Sequence, residues 1–163
     1  MPEDALSEQT SAEMVARVEA SFDRQGLMRL LGAQLTEVAQ GRVQITLARR
    51  PEVSQQHGYV HVGATGAIAD SAGGYAALTL MPDTSEVLTV EFKLNLLAPA
   101  AGDHLEATGT VLKAGRTLSV CQLQVFAVQD EERTLIAAGQ QTLISVPGKS
   151  TPRLHRASDS LPG

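Results

Sequence analysis

The chain has one cysteine, no tryptophan, and only two tyrosines and three phenylalanines among its 163 residues. The single thiol, Cys121, cannot close an internal disulfide and has no CxxC neighbour, so it reads as a small core residue in a strand-like run. There is no basic block either: 13 Lys and Arg are interspersed among 18 Asp and Glu, for a formal charge of −5. That leaves no electrostatic footprint for nucleic acid. No apolar run reaches about 18 residues free of charge, so no membrane-spanning helix is expected. The opening "MPEDALSEQTSAEMVARVEA" lacks the basic-then-apolar order of a secretory leader, and a cytoplasmic location is expected. The chain has no GxSxG and no Gly-rich phosphate loop, which removes a serine-elbow hydrolase and a nucleotide cradle. Scarce aromatics leave few groups to stack on an adenine.

What is present suffices for one domain: with 43% hydrophobic residues, a chain of this length buries a core without metals or disulfides. Residues 1–10 are polar and expected to be mobile, a single domain is expected over 11–146, and 147–163, rich in Pro, Gly and Ser, is expected as a disordered tail. Met14, Val15, Val18, Phe22, Leu27, Met28, Leu30 and Leu31 follow a broken helical spacing, predicting one helix or two short ones around Gly26. Alternation on either side of Gly41 predicts a hairpin. "VLTVEFKLNLL" alternates strictly, placing Leu88, Val90, Phe92, Leu94 and Leu96 on one face and Thr89, Glu91, Lys93 and Asn95 on the other. Three more strands follow, and with short turns between them the four predict an antiparallel meander.

Between hairpin and meander lies "QQHGYVHVGATGAIADSAGGYAALTLM", Gln55 to Met81. From Val62 on, it is small or apolar all round, predicting a buried helix of about 20 residues and about 30 Å. Gly66, Gly73 and Gly74 each cost a helix about 1 kcal/mol relative to alanine, so they mark a backbone approached closely by a sheet, a ligand or a second subunit. The one carboxylate in this run, Asp70, needs a partner or a task, because a buried unpaired charge is costly. The expected class is α+β, an antiparallel sheet packed around a central helix.

This order, with "QQHGYVHVGATGAIADSAGGYAA", "LTVEFKLNLLAPA" and "GRTLSV", resembles the PaaI-like acyl-CoA thioesterases of the hotdog-fold superfamily, over about Phe22 to Val146. Gly58, His61 and Asp70 match the family's "G-x-x-H-G-G" turn and the carboxylate nine positions after its histidine, and Pro99 and Ala100 match the strand ending. Val62 stands where the family has the first glycine of the pair; it keeps the N–H that points at the thioester oxygen but adds a side chain.

The resemblance implies hydrolysis of an acyl-CoA thioester bearing a small aromatic or short-to-medium acyl group. Asp70 is expected as general base or nucleophile, and the amides of Val62 and Gly63 at the positive end of the helix as the oxyanion hole. By the same resemblance, Gln55 and Thr89 lie at the reacting centre, His61 and Arg116 contact substrate, with Arg116 toward the coenzyme A phosphates, and no cofactor or metal takes part. The assembly is expected to be a homodimer or homotetramer, the partner's carboxylate reaching across the interface toward the helix start.

Each residue also has a structural reading. Asp70 can cap a loop or pair with an arginine, Gln55 can satisfy loop backbone, Thr89 can be an ordinary strand residue, Arg116 can be solvated, and His61 can fix the turn. His57 and His61 are four apart but precede the helix and lack the Glu of HExxH, so they do not form that zinc motif. Two alternatives to hydrolysis stay open: a non-catalytic hotdog module that binds acyl-CoA or another apolar ligand, with Val62 marking a decayed site, and a hotdog dehydratase using a histidine.

Overall fold

The computed structural model describes residues 2–148. In chain order, α1 (Pro2–Phe22) and α2 (Gly26–Leu31) precede β1 (Gln34–Ala39), β2 (Arg42–Ala48), α3 (Val62–Leu78), β3 (Ser85–Leu96), β4 (His104–Ala114), β5 (Leu118–Gln129) and β6 (Glu132–Pro147). The backbone of residues 2–10, expected to be mobile, is the first part of α1, and β6 runs one residue past the expected domain end. Of the expected tail, 149–163 lies outside the described residues.

The helical pattern at the start divides at the Asp23–Gln25 turn into two helices, with Val18, Phe22 and Met28 buried. Arg17 fastens α1 to the chain after α3: its guanidinium donates to the carbonyls of Met81 at 3.2 Å and Pro82 at 3.1 Å and lies 3.6 Å from Asp83. The predicted hairpin is β1–β2, turning at Gly41, whose φ of +74° suits glycine. Val43, Ile45 and Leu47 of β2 are fully buried on the face that meets α3.

All six strands form one antiparallel sheet in the order β1-β2-β4-β5-β6-β3. The expected four-strand meander holds for β4–β5–β6 only. β3 lies at the far edge beside β6, because residues 97–103 do not make a hairpin: they cross the strand ends, Leu97 N–H donating to Ile136 O at 2.8 Å and Asp103 N–H to Val128 O at 2.8 Å.

The strict alternation of β3 is also corrected. Its register against β6 shifts between Thr89 and Glu91, so Val90 is the extra residue of a bulge. Thr89 pairs with buried Leu143 and Phe92 with buried Gln141, so Thr89, Phe92 and Leu94 share the face toward α3, while Leu88 joins Glu91 and Lys93 on the outer face.

The helix α3 stops at Leu78, three residues short of the expected end, as the chain turns toward Pro82. Ile68, Ala69, Ala72 and Ala76 are fully buried against the sheet. Contact is closest at Gly109 of β4, where a Cβ would overlap the backbone of Ala72 and Gly73. The helix is not covered all round, however: Gly63 is exposed, and Gly66, Ala67, Asp70 and Gly74 are half-buried, a stripe of near-helical period along one face. An antiparallel sheet wrapped around one long helix is the hotdog arrangement.

Candidate active site

At the start of α3, His61 is the N-cap residue, and its Nδ1 accepts the N–H of Gly63 at 2.8 Å. That bond needs an unprotonated Nδ1. His61 N–H donates to Val53 O at 2.8 Å, and its carbonyl accepts from Ala64 at 3.0 Å and Thr65 at 3.1 Å, so His61 fixes the turn into the helix. Of the two amides expected to face an oxyanion, that of Gly63 is therefore taken by His61. The Val62 N–H has no acceptor among the described residues and sits at the positive end of the helix. Val62 as a residue is 50% exposed.

Gln55, Tyr59, His61, Val62, Leu96 and Pro99 are among the residues lining a cavity of about 280 Å³ at this end. Gln55 is half-buried; its Oε1 accepts the His57 N–H, while its Nε2 has no acceptor among the described residues. Its Oε1 thus serves the loop, leaving its Nε2 without a partner among the described residues.

Asp70 lies eight residues further along α3, about 12 Å at 1.5 Å per residue. Thr89 Oγ1 donates to Asp70 Oδ1 at 2.7 Å. Gln141, only 1% exposed on β6, directs its Nε2 to Asp70 Oδ1 at 2.5 Å, to Asp70 O at 3.1 Å and to Thr89 Oγ1 at 3.0 Å. Among the described residues, no Lys, Arg or His forms an ion pair with Asp70. The pairing with an arginine considered for this carboxylate is therefore not what holds it. A second cavity, of about 210 Å³, opens beside it, with Ser21, Gln25, Ser71, Tyr75, Glu86 and Thr89 in its wall.

The expected residues thus fall into two groups: Gln55, His61, Val62 and Gly63 at the helix start, and Asp70 with Thr89 at its middle. Arg116 joins neither; it is exposed in the β4–β5 turn, at the sheet end near the C-terminus of α3.

Gln141 was missed by sequence reasoning. The signal was a glutamine alternating with Leu143 on the inward face of "GQQTLISV", a polar residue where the period-2 pattern calls for an apolar one. Cys121 is buried, which pushes its thiol up to about 11 and leaves it an inert core group. Among the described residues no cluster of His, Cys, Asp and Glu could hold a metal ion, and no helix is long and apolar enough to cross a membrane.

The thioesterase superfamily pattern matches residues 57–134, which contain the helix start and Asp70. A thioesterase family protein from Silicibacter pomeroyi is 40% identical in sequence, with a TM-score of 0.81, over 83% of this chain and 99% of that one. The E. coli PaaI protein of the phenylacetic acid degradation operon shares the fold, with a TM-score of 0.75 at 20% identity over 85% and 96% of the two chains. The 1,4-dihydroxy-2-naphthoyl-CoA hydrolase of Listeria monocytogenes is 24% identical over 118 residues, 72% of this chain and 94% of that one. Hotdog architecture, the matched pattern and the 40% identical relative together make this chain a member of the thioesterase superfamily.

Proposed function

We propose that the protein is a cytoplasmic acyl-CoA thioesterase, active as a homodimer or a homotetramer built from such dimers. The observation that carries this reading is Asp70: a half-buried carboxylate beside a cavity, held by neutral donors and with no ion-pair partner among the described residues. As general base, Asp70 takes a proton from water as the water oxygen bonds to the thioester carbon. The C–S bond then breaks, and the thiolate of coenzyme A leaves and takes up a proton. As nucleophile, Asp70 bonds to that carbon itself, expelling the thiolate, and water hydrolyses the resulting anhydride. Either route develops negative charge on the carbonyl oxygen, which the Val62 N–H is suited to receive.

Val62 and Asp70 of one chain are too far apart to serve one carbonyl, so the site takes Asp70 from a second copy. Two features support such a pairing. β3 is a twelve-residue edge strand with Leu88 56%, Val90 57% and Phe92 44% exposed, a surface that invites another strand. The open stripe on α3 supplies the rest. In a two-fold pairing, if Asp70 meets Val62 of the partner then Val62 meets the partner's Asp70, and the axis falls level with Gly66, midway between them on that stripe. Gly66 carries no side chain there, and the Phe92 ring of β3 lies about 3.9 Å from where its Cβ would sit, so β3 and the stripe form one continuous surface.

The cavities of about 280 and 210 Å³ suit a small aromatic or short-to-medium acyl group. Arg116 makes no ion pair among the described residues and is suited to a coenzyme A phosphate, for which a guanidinium fork is apt. The Listeria relative, named for a CoA thioester, supports the leaving group. The half-exposed Val62 favours the second reading, a module that binds acyl-CoA without turnover. Release of free thiol from a panel of acyl-CoA thioesters, by wild type and Asp70→Asn, separates the two. Turnover lost in Asp70→Asn supports the enzyme; binding without turnover in wild type supports the module.

A further inference from the structure

We propose that Gln141 is the positioning residue of this site: its amide pins one oxygen of Asp70 and leaves the other, Oδ2, to meet water or the thioester carbon. This rests on the reading of Asp70 as the reacting carboxylate.

Three contacts converge on one nitrogen. Nε2 reaches the Asp70 side chain, the Asp70 carbonyl and Thr89 Oγ1, and the Thr89 hydroxyl donates a hydrogen bond to the same Oδ1. Among the described residues no donor reaches Oδ2. The amide cannot be reversed without facing Oε1 toward two acceptors on Asp70, so chemistry fixes which end points there.

The other end reveals a cost. Oε1 is buried with no hydrogen-bond partner among the described residues, and an orphaned buried acceptor destabilises a fold. The surroundings are shaped around it nevertheless: a Cβ at Gly73 would overlap Oε1 and press on Leu123 at 2.6 Å, so glycine leaves the space the amide occupies. An apolar side chain of similar size at 141 would lack the orphan. Retaining a half-satisfied glutamine where packing favours an apolar residue is the local conflict expected of a functional group. The bulge at Val90 serves the same end, since without the register shift Thr89 could not face Asp70 together with Phe92 and Leu94.

The test compares Gln141→Met and Gln141→Glu with wild type and Asp70→Asn, as rates per folded protein. Loss of a hydrogen bond to a charged group predicts that Gln141→Met lowers kcat about 10- to 100-fold with KM within about threefold. Gln141→Glu is predicted to be inactive near neutral pH and to regain activity as pH falls, because a protonated carboxyl donates as the amide did. The other titratable groups in the cavity wall, Glu86 and Tyr75, are common to all these proteins, and β5 offers only buried Cys121. A folded Gln141→Met with full kcat overturns the proposal. If that variant does not fold, a folded Gln141→Glu whose rate relative to wild type does not change with pH overturns it. Activity in Asp70→Asn removes the Asp70 reading itself, whereas an inactive Asp70→Asn beside a fully active Gln141→Met removes only the role of Gln141.

Discussion

The two ends of the Val62–Asp70 stretch of α3 solve opposite problems. At the helix start, the local turn binds almost everything: His61 takes the Gly63 amide, its carbonyl takes those of Ala64 and Thr65, and among the described residues only the Val62 N–H is left over. Eight residues on, nothing local holds Asp70; its partners come from β3 and β6, far away in sequence. In the proposed site, the helix start is an anion-accepting terminus made by helix geometry, and Asp70 is a carboxylate aimed by tertiary packing. Damage to them should therefore differ in kind.

The largest effect is expected at Asp70. Asp70→Asn keeps the size and shape but removes the proposed base or nucleophile, and a loss of about 10²–10⁴-fold in kcat is predicted by thiol release, with folding and oligomer size unchanged. At the helix start, Val62→Pro sharpens the contrast. Val62 is the first residue of the helix, where proline fits, and His61 at φ −63° and ψ 140° already has the backbone that precedes proline. The substitution thus deletes one N–H at little cost to the fold, and kcat is expected to fall about 10²–10³-fold while Val62→Gly stays active. A fully active Val62→Pro would show that the amide faces no developing charge.

Within the second half of the site, Gly73→Ala tests the packing that aims Asp70. Its Cβ meets Gln141 and Leu123, so a loss of about 1–3 kcal/mol in denaturant stability is expected, with lower kcat as Gln141 is displaced. The smallest effect is at Cys121: with its thiol pushed up to about 11 by burial, it stays protonated and unreactive toward a disulfide reagent at pH 8, and reacts only after denaturation.

The same contrast explains what the sequence makes legible. The helix start is contiguous, and its glycines, His61 and the following apolar run can be read directly, as can the β1–β2 hairpin. Asp70 is legible as a carboxylate out of place, but its partners are not. Thr89 alternates with apolar residues as if it faced away from them, and only the bulge at Val90, a consequence of pairing with β6, turns it inward. The position of β3 beside β6 was hidden for a related reason: short connections suggest neighbours, whereas residues 97–103 cross the sheet ends. Gln141 needed the same non-local pairing to acquire a meaning. The uncovered stripe on α3 was masked by its composition, since small apolar residues read as buried whether the covering comes from the same chain or from another copy.

The central claim is that one reacting centre draws Val62 from one copy and Asp70 from another. Mixing Asp70→Asn with Val62→Pro under conditions of subunit exchange tests it most directly. If the site is shared, each mixed dimer contains one centre with both defects and one with neither, and random exchange restores about a quarter of wild-type activity. If each chain carries a whole site, every centre keeps one defect, and a mixture that stays as inactive as its two parents contradicts the account.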